Sequence, residues 1–131
     1  MKYLNDYIEE KREKLFADTG AFFAFGQKQF EEKRKPGVKY VNLKMGLVCP
    51  KENVKRFFEA WDKIHEDGVK ADMQENGKKA IIERELFNHE CQITYDYSDV
   101  TAKLSNYPIT EAEIAAEFPG FMNLCREKDY F

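Results

Sequence analysis

The sequence predicts an α+β fold, a small mostly antiparallel or mixed sheet covered by several helices, in a single globular domain spanning residues 1–131. Three observations predict it. Val54, Phe57, Phe58, Trp61 and Ile64 recur at helical spacing, so the chain holds at least one long amphipathic helix. Ala21-Phe22-Phe23-Ala24-Phe25 and Val38-Lys39-Tyr40-Val41-Asn42-Leu43 are short and rich in aromatic and β-branched residues, and read as strands. Helices and strands do not alternate regularly, which argues against a doubly wound sheet.

From the N-terminus, Leu4, Ile8 and Leu15, with Tyr7 beside them, form one face of an amphipathic helix that Gly20 should stop. The run from Ala21 to Phe25 is expected to be a buried strand. Gln27 to Lys35, polar around Phe30, predicts a short helix broken by Pro36-Gly37. Met45 to Cys49 continues the strand pattern, with Gly46 as a bend or bulge. Pro50 suits the first turn of the main helix, which Asp67-Gly68 should end.

Val69 to Gly77 reads as a short strand or a loop turning at Asn76-Gly77, and Lys78 to Glu90 as a helix with Ile82 and Leu86 on one face. Gln92-Ile93-Thr94-Tyr95-Asp96-Tyr97 alternates and predicts a half-buried strand. Ser98 or Asp99 can cap a short helix through Leu104. Thr110 with Glu113 forms a capping box and Ile109 with Ile114 the matching hydrophobic staple. That helix is expected to stop at Pro119-Gly120, with another short helix from Phe121. Phe22, Phe23, Phe57, Phe58 and Trp61 are the expected centre of the core, beneath a helix over Pro50–Asp67 and the C-terminal helices.

Composition supports a chain that folds on its own core. Eleven Phe, seven Tyr and one Trp supply large buried areas, and the 34% of charged residues are dispersed between apolar positions. Cys49, Cys91 and Cys125 are odd in number and form no CxxC pair, so reduced, buried thiols in a cytoplasmic protein are expected. The N-terminus reaches acids before an apolar run can build, and no stretch has the length of a membrane span. Residues 1–65 hold 14 Lys/Arg against 10 Asp/Glu and residues 66–131 hold 7 against 14, a split of +4 and −7. Overall acidity disfavours a dedicated nucleic-acid binder and leaves room for a protein partner or self-association.

Four residues near the end of the Lys78–Glu90 helix are the candidate site: Glu85, Asn88, His89 and Glu90. Glu85 and His89 stand one turn apart, where they could ligate a metal, pair an acid with a base in a hydrolase, or simply hydrogen-bond within the fold. His89 also continues the Ile82–Leu86 stripe, and neither HExxH nor a second paired motif is present, so no metal or other cofactor is assigned. Asp62, His65 and Glu66 form a second cluster whose spacing does not match that of a carboxylate-bridged di-metal bundle. Lys28, Lys33, Arg34, Lys35, Lys39 and Lys44 interleave with Phe30 and Tyr40, a pattern that single-stranded nucleic acid exploits, although Glu31 and Glu32 interrupt it. G-x-S-x-G, phosphate-loop and GxGxxG motifs are absent.

Phe22-Phe23-Ala24-Phe25 followed by Gln29-Phe30, Glu85-Leu86 with Asn88-His89-Glu90, and Tyr107 with Ile109-Thr110 together resemble a group of short proteins found in phages and in mobile elements of gut bacteria. The resemblance covers residues 21 to 118 and departs at Gly26, where that group would carry a polar cap. It implies a compact α+β fold and a bacterial or phage-infected cytoplasm, and no particular activity. The expectation drawn from the residues is a non-enzymatic protein-binding or regulatory module. The alternatives are a hydrolase centred on Glu85, His89 and Glu90, and nucleic-acid binding through residues 28–44.

Overall fold

The computed structural model describes residues 1–131. The chain is α+β: six helices and a three-stranded antiparallel sheet. In order these are α1 (Leu4–Thr19), β1 (Phe22–Phe23), α2 (Gln27–Lys33), β2 (Tyr40–Asn42), β3 (Leu47–Pro50), a 3-10 turn at Lys51–Asn53, α3 (Val54–Asn88), α4 (Cys91–Thr94), α5 (Ser98–Lys103) and α6 (Glu111–Lys128). The chain divides into two compact units, Met1–Gly68 and Val69–Phe131.

In the first unit, β3 lies between β1 and β2. Phe22 pairs with Val48 and Phe23 with Leu47 on one side, and Val41 with Cys49 on the other. Gly20, at φ 78°, turns the chain out of α1 into β1 as the sequence predicts. One sheet face, carrying Leu47 and Cys49, packs with Leu15 and Phe16 of α1 and with Phe57 and Trp61 of α3. The other face carries Phe22 and Tyr40, which meet Phe30 of α2 ring to ring. The sheet is thus sandwiched between α2 and the α1–α3 pair.

The expected core is only partly the observed one. Phe57 is fully buried, but Phe58 is 43% exposed and Phe23 39%. The strand expected to be buried from Ala21 to Phe25 is therefore short and emerges into solvent, with Phe25 74% exposed. Phe58 falls outside because Phe57, Trp61 and Ile64 already fill one helical face, and a residue adjacent to Phe57 is rotated about 100° away from it. Pro50 ends β3 rather than opening α3, and the helix proper begins only after the 3-10 turn.

Asp67-Gly68 does not stop α3. A Cβ on Gly68 would lie 2.5 Å from Ile8 Cγ2 and 3.3 Å from Leu4 Cδ1, so this glycine admits α1 at close range within a continuing helix. The break comes at Gly77, with φ 78° and ψ 165°, a conformation essentially confined to glycine. The turn expected at Asn76-Gly77 is therefore present, although Val69–Asn76 is helical rather than strand or loop.

The second unit, Val69–Phe131, contains no strand. Its core is aliphatic, with Ile81, Ile82, Leu86, Val100, Leu104 and Ile114 almost wholly buried. The strand expected over Gln92–Tyr97 is instead one helical turn and a loop. Glu90 and Tyr95 adopt left-handed conformations at its two ends, Gln92 is buried, and Ile93 and Tyr95 are 55% and 65% exposed. Local hydrogen bonds, from the Asp96 N–H to Thr94 Oγ1 and from the Ser98 N–H to Asp96 Oδ1, compete with strand pairing there. α6 starts at the Thr110–Glu113 capping box, as predicted. It then runs through Pro119-Gly120 without stopping, because Ile114, Phe121, Met122 and Cys125 keep one buried stripe while Pro119 and Gly120 lie on the exposed face.

Candidate functional site

The four residues singled out in the sequence do not converge. Asn88 and Glu90 are exposed, whereas Glu85 is buried and His89 partly so. His89 Nε2 lies 3.6 Å from Glu85 Oε2, beyond hydrogen-bond distance, and neither atom has a hydrogen-bond partner. No group of three or more His, Cys, Asp and Glu side chains is arranged to hold a metal ion.

What Glu85 joins is a buried ionic cluster that sequence reasoning missed. Arg84 donates from Nε to Glu85 Oε1 at 3.1 Å and, from its two terminal nitrogens, to Asp72 Oδ1 at 2.9 Å and Oδ2 at 3.0 Å. Tyr107 Oη and Asn76 Nδ2 also donate to Asp72. Asp72 and Glu85 are almost wholly shielded from solvent and Arg84 is 6% exposed. Burial alone would raise the Asp72 carboxyl, but the hydrogen bonds from Arg84, Tyr107 and Asn76 outweigh it and hold it below the usual carboxylate range. The Tyr107 phenol is pushed up, by burial first and then by Asp72. Both effects favour an ionised Asp72 and a neutral Tyr107 near neutral pH. Forked and closed to solvent, the Arg84–Asp72 pair and its partners hold the fold, and Glu85, although its Oε2 is unpaired, is buried away from any substrate.

A signal for this cluster was in the sequence. Glu85 occupies a stripe position with Ile82, Leu86 and His89, and a charge on an apolar stripe is buried only if it is paired. Asp72 and Tyr107 carried no such mark, since Asp72 fell in the segment of ambiguous pattern.

The second cluster is also occupied internally. His65 Nδ1 donates to the Trp61 carbonyl at 2.9 Å and its ring sits 4.6 Å from the Trp61 ring, while Asp62 is exposed. In the basic segment, Phe30 and Tyr40 turn onto Phe22 and each other, at centroid distances of 5.5–6.2 Å. Both rings are half-buried and engaged with one another, two of the three contacts edge-on. Burial pushes the thiols of Cys49, Cys91 and Cys125 up, so none is an activated nucleophile.

The exposed chemistry of the first unit lies at the β1 edge. Phe23 and Phe25 stack in parallel at 6.1 Å, the Phe25 ring rests over Gly46, and the adjoining Met45 is 89% exposed. Phe23 also reaches Phe16 at 5.4 Å, and the two line a cleft of about 310 Å³ with Arg12, Glu13 and Trp61. Lys33 Nζ donates to the Phe23 carbonyl at 2.7 Å, placing an ammonium group at the backbone of β1. Gly46 is needed here: its φ is +81°, and a Cβ would come within 2.7 Å of the Phe25 ring. No helix is long and apolar enough to cross a membrane. No curated protein and no solved structure matches the chain. A family of unknown function, DUF7659, matches it over residues 4–119, and the chain belongs to that family.

Proposed function

We propose that this protein is a non-enzymatic, protein-binding module of the cytoplasm, and that it contacts its partner through Phe23, Phe25 and Met45. The observation that carries the reading is the exposure of Phe25 and Met45, 74% and 89%, beside the stacked Phe23 ring. Large apolar side chains clustered at a surface are features of interaction sites, whereas scattered ones are ordinary. The burial of Glu85 and its use by Arg84 favour this reading over a hydrolase centred on Glu85, His89 and Glu90. The mutual packing of Phe22, Phe30 and Tyr40 favours it over nucleic-acid binding through residues 28–44. Three free, buried cysteines suit a reducing compartment. The resemblance to phage and mobile-element proteins suggests a target in a bacterial host.

The test is site-specific crosslinking in the source cell. A photo-reactive phenylalanine at position 25 should give a discrete adduct with one protein species, and the same group at exposed Glu10 should not. The absence of any adduct specific to position 25 would remove the assignment of this surface.

A further inference from the structure

Resting on the reading of Phe23, Phe25 and Met45 as a contact surface, we infer the partner's chemistry: an acidic protein segment that carries a large apolar side chain. The argument begins with charge. Between Gly20 and Pro50 the chain holds six cations, Lys28, Lys33, Arg34, Lys35, Lys39 and Lys44, against two acids, Glu31 and Glu32. Glu31 is already engaged, by Gln27 at 2.7 Å and Arg34 at 3.8 Å.

Two of these cations adjoin the apolar surface. Lys33 is hydrogen-bonded to the backbone of Phe23, and Lys44 precedes Met45 in the turn that Gly46 completes. An apolar surface with ammonium groups at its margin attracts segments of opposite charge and repels basic ones.

Shape supplies the second half. The cleft beside Phe23, about 310 Å³, is walled by Phe16, Phe23 and Trp61 and flanked by Arg12 and Glu13. Three aromatic walls favour an aromatic or large aliphatic side chain, and the Arg12–Glu13 pair leaves the mouth itself close to neutral. The partner's apolar residue enters the cleft while its flanking carboxylates meet Lys33 and Lys44.

Trp61 is the chain's single tryptophan and lines the cleft, so its fluorescence reports occupancy. A random library of short peptides displayed on phage is selected on the folded protein, and the enriched peptides lacking Trp are titrated while Trp61 emission is read. The expected result is enrichment of Asp and Glu around Phe, Leu or Met, with saturable change in Trp61 emission and affinity that weakens as salt rises. Phe25→Ser and Lys44→Glu should each weaken binding by roughly tenfold with the thermal melt preserved. Enrichment of basic or uncharged peptides, failure to enrich any, or an equally tight response to oligo-dT overturns the inference. A crosslinked partner at position 25 together with such a result would leave the contact surface standing and remove only the assigned chemistry.

Discussion

Asp72 and Arg84 meet across the break at Gly77 in a two-point contact, oxygen to nitrogen at 2.9 and 3.0 Å. Twelve residues separate them, a span of about 18 Å in a straight helix and well beyond the reach of the two side chains. The pair therefore requires the bend, and the bend requires a residue able to hold φ 78° and ψ 165°.

Removing one partner should damage the second unit more than a typical surface change. Asp72→Ala leaves the buried Arg84 guanidinium short of two acceptor contacts and should cost roughly 3–5 kcal/mol. Arg84→Lys keeps the charge but loses the fork, and should also destabilise clearly. Urea unfolding of both variants checks this; a loss within about 0.5 kcal/mol would mean the cluster is solvated in solution.

The pH dependence follows from the same residues. A carboxyl held low in the folded state contributes stability that is complete above the ordinary carboxylate pKa of about 4 and disappears as pH falls through its folded value. Stability should thus decline on acidification below about pH 4, with a shallower decline in Asp72→Asn. Tyr107 acts at the other limb: its raised phenol contributes fully below about pH 10 and loses that contribution above it. Urea midpoints measured from acid to alkaline pH should show Tyr107→Phe flattening the alkaline decline and, because its hydrogen bond helps hold Asp72 low, part of the acid decline as well.

Gly68 offers a packing test in the first unit. Ala is the better helix former by about 1 kcal/mol, so an exposed glycine at this position would be improved by the change. With Ile8 Cγ2 only 2.5 Å from the added Cβ, Gly68→Ala should instead destabilise by about 1–3 kcal/mol. Ile8→Leu removes that methyl from the β carbon and should recover part of the loss in the double variant. Independent, additive effects in a double-mutant cycle would show that the helices do not meet here.

His89 separates a structural from a metal-binding role. With two buried atoms facing each other at 3.6 Å and no third ligand, His89→Ala should cost about 1 kcal/mol. Zinc or manganese should leave the melting temperature of the parent protein unchanged. A metal-induced rise in the parent that vanished in the variant would instead identify Glu85 and His89 as ligands.

How legible these features were in the sequence depended on whether local chemistry or packing decided each one. Gly20 and the Thr110–Glu113 box follow from short-range rules and appear where those rules put them, while the strands expected over Val38–Leu43 and Met45–Cys49 form over the shorter Tyr40–Asn42 and Leu47–Pro50. Gly68 and Pro119-Gly120 carry breaker signals, yet helices pass through both, because Gly68 serves a close crossing and Pro119-Gly120 sit on an outer face. Tyr95 and Tyr97 alternate like a strand but find no partner strand in their unit. In the candidate site, Glu85 was identified from its place on the helix, whereas its partners depend on a bend that brings distant positions together. Asn88 and Glu90, adjacent to His89 in sequence, point to solvent instead.

The break at Gly77 also bears on how the second unit assembles. A contact between residues only twelve apart closes a short loop, and closure entropy grows slowly with loop length. The Asp72–Arg84 pairing can therefore form while most of the unit is still unfolded, when water screens both charges and their desolvation has not begun. Tyr107, thirty-five residues from Asp72, can join only after α5 has docked. Nucleation at the bend, followed by sealing from the later helices, predicts that Gly77→Ala slows refolding, whereas Tyr107→Phe chiefly accelerates unfolding.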